Sequence, residues 1–396
     1  MNDSNPTFQA LGRRLRLAVV GGSYGFIGPV HRTAARIDDR FEIVAGVLSS
    51  DPARGRAAAL GIGIAEDRAY ADVEQMIASE AARPDGIDAV AIMTPNARHF
   101  PEAMAALDAG LHVICDKPIT ATLAEALALA RKVRETGRVF CLTHCYSAYA
   151  MVRQARAMVR AGEIGEIQQI HLAYVQGYFA TLVEAGGIDA AGWRFDPAQG
   201  ASLVMGDIGT HAHHLGAYVS HLELESVMAD VGATVSGRRA DDYGGLLMHW
   251  SNGARGTMWV TNAAAGAEHG LAFRIYGSEG GLEWHQEQPN ELRHRRLGGF
   301  EQVLTRRLHG ALHPEAERAA RVEIGHPEGF QEAFATLYRD AADAITAKLT
   351  GQAADPYALD FPTAMDGARG LRFVEGVRDS MKTGTWADCR LVPAEM

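Results

Sequence analysis

From Leu15 onward, short apolar runs alternate along the chain with segments in which apolar residues recur every three or four positions. The runs are LRLAVV (15–20), FEIVAGVL (41–48), DAVAIMT (88–94), HVIC (112–115) and RVFCLTH (138–144). Each is short and rich in β-formers, and segments rich in Ala, Leu, Glu and Arg separate them, the pattern of a parallel sheet wound by helices. One of these helices carries its own boundaries. Thr122 precedes Glu125 by three residues as a capping box, and Gly137 suits the left-handed position that closes a helix.

After about residue 148 the pattern changes. A helix is predicted over 149–160, followed by longer alternating strands broken by glycines, such as GARGTMWVT (253–261) and FRIYGSEGGLEW (273–284). Residues 286–324 are rich in Arg, His and Glu with little periodicity, and read as meandering strands and a surface loop. Two long helices, 327–348 and 362–383, close the chain with clear apolar spacing. These elements predict an α/β protein of two domains: a dinucleotide-binding domain over 15–146, and a substrate-binding and oligomerisation domain of α+β type over 147–396. Neither an internal repeat nor a low-complexity tract interrupts them.

Length and composition agree with this division. At 396 residues the chain exceeds the size at which one core keeps growing. Its 47% apolar and 22% charged residues are those of a globular protein. A net charge of -10 gives no broad attraction for nucleic acid or anionic lipid. The four cysteines, Cys115, Cys141, Cys145 and Cys389, form no spaced framework and read as reduced, mostly buried thiols of a cytoplasmic protein. The N-terminal MNDSNPTFQALGRR has no apolar core of a signal peptide, and the run 15–20 is too short to span a bilayer, so neither secretion nor membrane insertion is expected.

The first chemical feature is GGSYGFIG, residues 21–28, between the first strand and the first covering helix. Glycine there tolerates positive φ and lets a pyrophosphate approach backbone N–H groups at the positive end of a helix dipole. A glycine string alone is a tight turn; one that follows a strand and opens a helix in a βαβ unit is a dinucleotide site. Gly22, Tyr24, Gly25, Phe26, Ile27 and Gly28 are therefore candidate cofactor residues, with the part of each glycine left open by the stretched spacing. At the end of the second strand, where an acidic residue would hold the ribose hydroxyls of NAD, stand Ser49 and Ser50, followed by Asp51 and Arg54. Serine with a nearby arginine also suits a 2′-phosphate, so NAD is expected with NADP as the alternative.

Lys117, in CDKP just past the HVIC strand, falls at the carboxyl edge of the parallel sheet, where ligands of such folds bind. There a lysine can polarise or deprotonate a substrate hydroxyl. Asp207 and His211 in DIGTH are four residues apart at the start of a predicted helix, a spacing that stacks them on one face for proton transfer near neutral pH. Asp-x-x-x-His by itself is equally a helix N-terminus with a core histidine. His213 and His214 extend this to a metal reading, but His213 points away from His211 on a helix, and no metal is expected.

Several motifs stand in order along almost the whole chain: Ile27, Gly28 and His31 of IGxxH; TPN (94–96) followed by His99; AGLHVICDKP (109–118); AGEIGEI (161–167); WRFDP (193–197); DIGTH; and the NGARGT and YGSEGG turns. In these the sequence resembles the Gfo/Idh/MocA family, the glucose-fructose oxidoreductase and inositol dehydrogenase group. The resemblance implies an N-terminal Rossmann domain and a C-terminal domain with a large open, predominantly antiparallel sheet, with the C-terminal helices packing back on the Rossmann domain. It implies that Lys117, Asp207 and His211 are the catalytic residues. Thr94, Pro95, Asn96, His99 and Asp116 would line the cofactor, and Trp193 and Arg194 would lie near nicotinamide and substrate. Tyr146, Tyr149 and His326, beside matched motifs, are further substrate candidates. Two departures stand out: Asp116 replaces the usual glutamate before the lysine, and Gly200-Ala201-Ser202 replaces a glycine run.

The resemblance implies hydride transfer between a sugar or cyclitol hydroxyl and nicotinamide. Related alternatives are an NAD-retaining glycoside hydrolase or lyase that oxidises its sugar transiently, and a cofactor-binding regulator without turnover. An open sheet exposes apolar surface, so a homodimer or homotetramer is expected.

Overall fold

The computed structural model describes residues 5–186, 202–306 and 312–392. The chain divides into two compact units. Met1–Ala148 and Phe330–Ala368 form the first, and Tyr149–Gly329 and Arg369–Met396 the second.

In the first unit the elements are α1 (Pro6–Leu11), β1 (Leu15–Gly21), α2 (Ile27–Ile37), β2 (Phe41–Val47), α3 (Pro52–Gly61), α4 (Val73–Ala81), β3 (Ala89–Met93), α5 (Asn96–Asp108), β4 (His112–Cys115), α6 (Leu123–Thr136) and β5 (Phe140–Leu142). The five strands are parallel in the order β2-β1-β3-β4-β5. Every residue of β3 and β4 is buried, which is why these segments read as unbroken apolar runs instead of alternating ones. Strand order reverses between β1 and β3, so the loops after these two strands flank the crevice where such sheets bind ligands. The predicted boundaries of α6 are present: Thr122 and Glu125 form the reciprocal capping box, and Gly137 takes the left-handed conformation at φ 62°. The helix Phe330–Thr350 belongs to this unit and packs along α2, where Tyr338 and Phe334 enclose the ring of His31.

Beyond Tyr149 the elements are α7 (Ala150–Arg160), β6 (Ile167–Gln176), the helix Thr210–Ser220, β7 (Leu224–Gly232), β8 (Tyr243–Trp250), β9 (Arg255–Thr261), β10 (His269–Gly277), β11 (Gly280–His285), β12 (Glu291–Arg296), β13 (Glu301–Thr305), the helix Pro314–Ala319 and β14 (Ala387–Asp388). They build a nine-stranded sheet in the order β13-β12-β11-β10-β6-β9-β8-β7-β14, antiparallel at every pair except β6 and β9. α7 and the helix Thr210–Ser220 pack on one face. The other face carries Met228, Leu247, Trp259 and Tyr276, each 40–51% exposed.

The segment 286–324 is more regular than its sequence suggests. β12 and β13 pair there, Arg293 and Arg295 meet Glu301 across the strands, and Pro314–Ala319 is helical where a loop was expected. His294 is buried on the same face as Leu292, so the inward positions of β12 include a polar residue and the period of two is hidden from a hydropathy reading. Among the described residues no helix is long and apolar enough to cross a membrane. The four cysteines are free and buried, and burial pushes the Cys115 and Cys145 thiols up.

Candidate functional site

The loop after β1 shows what each glycine does. A Cβ on Gly28 would lie 2.0 Å from the Gly22 carbonyl oxygen, and one on Gly22 would strike Met93 and the Cα of Gly28. These two glycines let the first turn of α2 rest directly on the loop. Gly25 differs, with φ 74° and open space where its side chain would be. It leaves a bare, left-handed backbone one residue before the Phe26 cap of α2, a cradle that a side chain would fill and that suits a pyrophosphate. Phe26 is 71% exposed beside Phe330, and Ile27 opens the helix.

At the ribose end, the Arg54 guanidinium sits over the Tyr24 ring at 4.8 Å and its Nε donates to Ser49 Oγ at 3.4 Å. Asp51 accepts the Arg54 amide at 2.9 Å and thereby caps α3. The capping explains why an aspartate two residues past Ser49 is not in the acidic position sequence patterns look for. Ser50 is exposed at the surface.

Three segments converge on the loop that carries Lys117. Asp116 Oδ1 accepts the Lys117 amide and the Thr143 hydroxyl, both at 2.9 Å, and His31 Nε2 stands 3.9 Å from the same oxygen, beyond hydrogen-bond length. His31 is itself fixed by Nδ1 at 2.8 Å from the Tyr338 hydroxyl. Burial opposes charge on Asp116, yet His31, Lys117 and His99 around it outweigh that cost and hold its carboxyl well below the usual carboxylate range. Substituting aspartate for glutamate thus keeps an ionised group at this place. The Lys117–Pro118 peptide is cis, and Lys117 is half-buried.

His99, on α5, was expected to line the cofactor. The structure places it in the interior, 1% exposed, with Nδ1 2.8 Å from the Pro118 carbonyl and Nε2 2.7 Å from the Thr94 carbonyl. Carbonyl oxygens only accept, so the ring donates to at least one of the two. His99 ties the loop after β3 to the loop after β4. Thr94 is held further by its hydroxyl on Glu102 at 2.6 Å, Pro95 caps α5 and Asn96 starts it.

In the second unit, Asp207 does not sit in a regular α-turn. The chain widens into a π-turn over Met205–Gly209, closed by the Thr210 amide on the Met205 carbonyl, and the α-helix begins only at Thr210. The predicted stacking of Asp207 and His211 presupposed an unbroken helix; the structure instead carries them on a π-turn and the helix that follows, a feature frequent at functional sites. Asp241, at the start of β8's approach, anchors the turn from below by accepting the Ser202 hydroxyl and the amides of Leu203 and Val204 at 3.0 and 3.1 Å. His211 is 7% exposed, and its ring lies edge-on to Tyr174 at 6.4 Å. His213 stacks on Phe373 and His214 on Tyr218. Among the described residues no group of three or more His, Cys, Asp or Glu is placed to hold a metal.

The remaining candidates scatter. Tyr146 is buried against Phe330, and Tyr149 is buried against Trp284 in the second unit. His326 is exposed in a turn, its carbonyl accepting from Arg306. Trp193 and Arg194 lie outside the described residues. Sequence reasoning missed Thr143, Asp241, Tyr174 and His269, none of which stands in a motif; His31 was noticed only as part of one.

Residues 15–144 match the oxidoreductase family model with the NAD-binding Rossmann fold, and residues 152–283 match the GFO/IDH/MocA C-terminal domain. The chain belongs to the Gfo/Idh/MocA family. An uncharacterized oxidoreductase, YfiI of Bacillus subtilis, is 35% identical over 96% of this chain and 98% of its own. A crystal structure of an inositol dehydrogenase homologue from Azotobacter vinelandii, complexed with NADH and myo-inositol, is 38% identical at a TM-score of 0.86, covering 96% of this chain and 98% of that one. Levoglucosan dehydrogenase of Pseudarthrobacter phenanthrenivorans is 28% identical over 71% of this chain and 76% of its own. As a Gfo/Idh/MocA member, the chain is an NAD-binding oxidoreductase with a Rossmann domain and a mostly antiparallel second sheet.

Proposed function

We propose that this chain oxidises a ring secondary hydroxyl of a sugar or cyclitol, with NAD as the hydride acceptor. His211 takes the hydroxyl proton as general base, Asp207 orients the imidazole and the substrate, and Lys117 hydrogen-bonds the substrate oxygen. The observation that carries the reading is the placement of Asp207 in a π-turn and of His211 on the helix that follows it, with Tyr174 beside His211, in a chain similar to a homologue whose structure holds NADH and myo-inositol. Asp116 keeps a negative charge next to Lys117 and fixes its backbone. In place of an acidic ribose ligand, Ser49 and Arg54 offer a hydroxyl and a guanidinium, which extends the reading to NADP. The exposed apolar row Met228, Leu247 and Trp259 on the outer sheet face supports a homo-oligomer, read by sedimentation.

The test is NADH formation from NAD with a panel of inositols, aldoses and glycosides. Net reduction with a ring polyol supports the dehydrogenase. Glycoside cleavage without net NADH would assign a hydrolase that oxidises its sugar transiently, and NAD binding with no turnover on any member would leave a regulator.

A further inference from the structure

α2 begins at the cofactor cradle, with Gly28 seated on the glycine loop and Phe26 at its cap. Arg32 of this helix donates to the Gly22 carbonyl at 2.7 Å, and Gln331 of the helix Phe330–Thr350 donates to the Val30 carbonyl at 3.0 Å. Loop, α2 and that second helix are thereby tied together. His31 lies between the two tied residues of α2, 1% exposed, with its ring edge-on to Phe334 at 5.0 Å and to Tyr338 at 5.8 Å. An imidazole set among buried aromatic rings costs desolvation unless its nitrogens find partners. Nδ1 has one, the Tyr338 hydroxyl at 2.8 Å. Nε2 is buried, makes no hydrogen bond among the described residues, and stands 3.9 Å from Asp116 Oδ1.

Charge decides the tautomer. A proton on Nδ1 would turn the Nε2 lone pair toward an ionised carboxylate, whereas a proton on Nε2 presents that carboxylate with an N–H. The Tyr338 hydroxyl then donates to Nδ1, and it keeps its proton because burial above all, with Asp116 adding to it, pushes the phenol up. We propose that His31, held by Tyr338 with its proton on Nε2, is a positioning residue that couples α2 to the Asp116 carboxylate and so to the Lys117 loop, its N–H closing onto Oδ1 when a dinucleotide occupies the glycine loop. Oδ1 already accepts the Lys117 amide and the Thr143 hydroxyl. A third donor on the same oxygen ties the Lys117 loop to the helix that carries the cofactor cradle. The coupling itself needs only the NAD site; its value to turnover rests on the function stated above, in which Lys117 meets the substrate oxygen.

The test is a double-mutant cycle on NAD affinity, measured by calorimetry on wild type, His31→Phe, Asp116→Asn and the double variant. Phenylalanine keeps the packing on Phe334 and Tyr338 and removes the donor. Each single substitution should weaken NAD binding about 5- to 10-fold, the low end of ordinary coupling between sites, and the double variant should lose hardly more than either one. His31→Gln, whose amide nitrogen falls near the place of Nε2, should recover most of the loss, which a role in packing alone would not allow. Tyr338→Phe leaves every ring in place and should give a smaller loss that likewise vanishes beside Asp116→Asn, so the cycle stands even if His31→Phe does not fold. On the ring polyol that wild type oxidises best, His31→Phe should lower kcat about 10-fold, the weight of a hydrogen bond to a charged group, with KM within about 3-fold. Losses of NAD affinity that add in the double variant, no loss in His31→Phe, an unchanged kcat there, or a His31→Gln no better than His31→Phe would overturn the proposal. A wild type that oxidises no ring polyol would overturn the function stated above, and the NAD cycle would still decide the coupling.

Discussion

The Lys117 loop and the Asp207–His211 turn are built by opposite means. Around Lys117 the holding groups come from far along the chain: His31 from α2, His99 from α5, Thr143 beyond β5 and Tyr338 from the helix Phe330–Thr350. Asp207 and His211 ride on a π-turn that its own backbone closes and that runs into a helix, with the Asp241 carboxylate on the leading amides. A loop wired by remote side chains transmits changes made elsewhere in its unit. A turn wired by its own backbone answers mainly to changes within it.

The largest expected effects fall on the residues proposed to handle the proton. Lys117→Ala and His211→Ala should each lower kcat by about 10² to 10⁴, the usual weight of a positioned acid or base, while NAD affinity measured by calorimetry stays within about 3-fold. Loss of NAD binding in Lys117→Ala alone would mean that the lysine, and not only its neighbours, holds its loop in place.

His99→Ala tests the remote wiring. It takes from the Thr94 and Pro118 carbonyls the ring they share, and a buried acceptor left unsatisfied costs about 1–3 kcal/mol. The urea midpoint should fall, NAD should bind less tightly, and kcat should drop although His99 is buried on two carbonyls. A variant that loses stability but keeps kcat and NAD affinity would confine His99 to packing.

Much of the first unit was legible because its signals are local. Buried parallel strands read as apolar blocks, α6 announces both ends with Thr122, Glu125 and Gly137, and the glycine loop declares itself by following a strand. The inward position of His99 was not legible, since a polar residue shortly after TPN reads alike whether it faces a cofactor or two carbonyls. In the second unit, the antiparallel sheet followed from the resemblance, not from periodicity, and His294 shows why: a buried polar residue breaks the alternation. The π-turn was invisible because hydrophobic spacing carries no information on a single extra residue in a turn. Tyr174 and His269 are 95 residues apart and meet only through the register of β6 with β10, which no single-sequence pattern encodes.

Asp116→Asn gives a pH signature of the remote wiring. Its carboxyl is held below the usual range in the folded protein, so the fold favours the ionised form. That contribution is fully present above about pH 4, where an unfolded aspartate is ionised, and is lost as pH falls from there toward the folded-state value. The stability gap between wild type and variant, from urea midpoints, should be constant between about pH 5 and pH 7 and narrow below about pH 4. A gap unchanged in acid would mean that the asparagine loses shape and not charge.

The smallest effect on turnover is expected at the Asp241 carboxylate. Asp241 caps the amides of Leu203 and Val204 and receives the Ser202 hydroxyl. Leaving these donors unsatisfied costs about 1–3 kcal/mol, and asparagine keeps only one of the two accepting oxygens, Oδ1 on Leu203 and Oδ2 on Val204 and Ser202, so it loses part of the same contribution. Asp241→Ala should therefore lower the urea midpoint and Asp241→Asn lower it less, with kcat and its pH profile nearly unchanged in both. The reason is that the π-turn is closed by the Thr210 amide on the Met205 carbonyl, a bond that neither substitution touches. If Asp241→Ala instead lowered kcat as much as His99→Ala does, the turn would depend on side chains beyond it just as the Lys117 loop does, and the contrast between the two regions would fail.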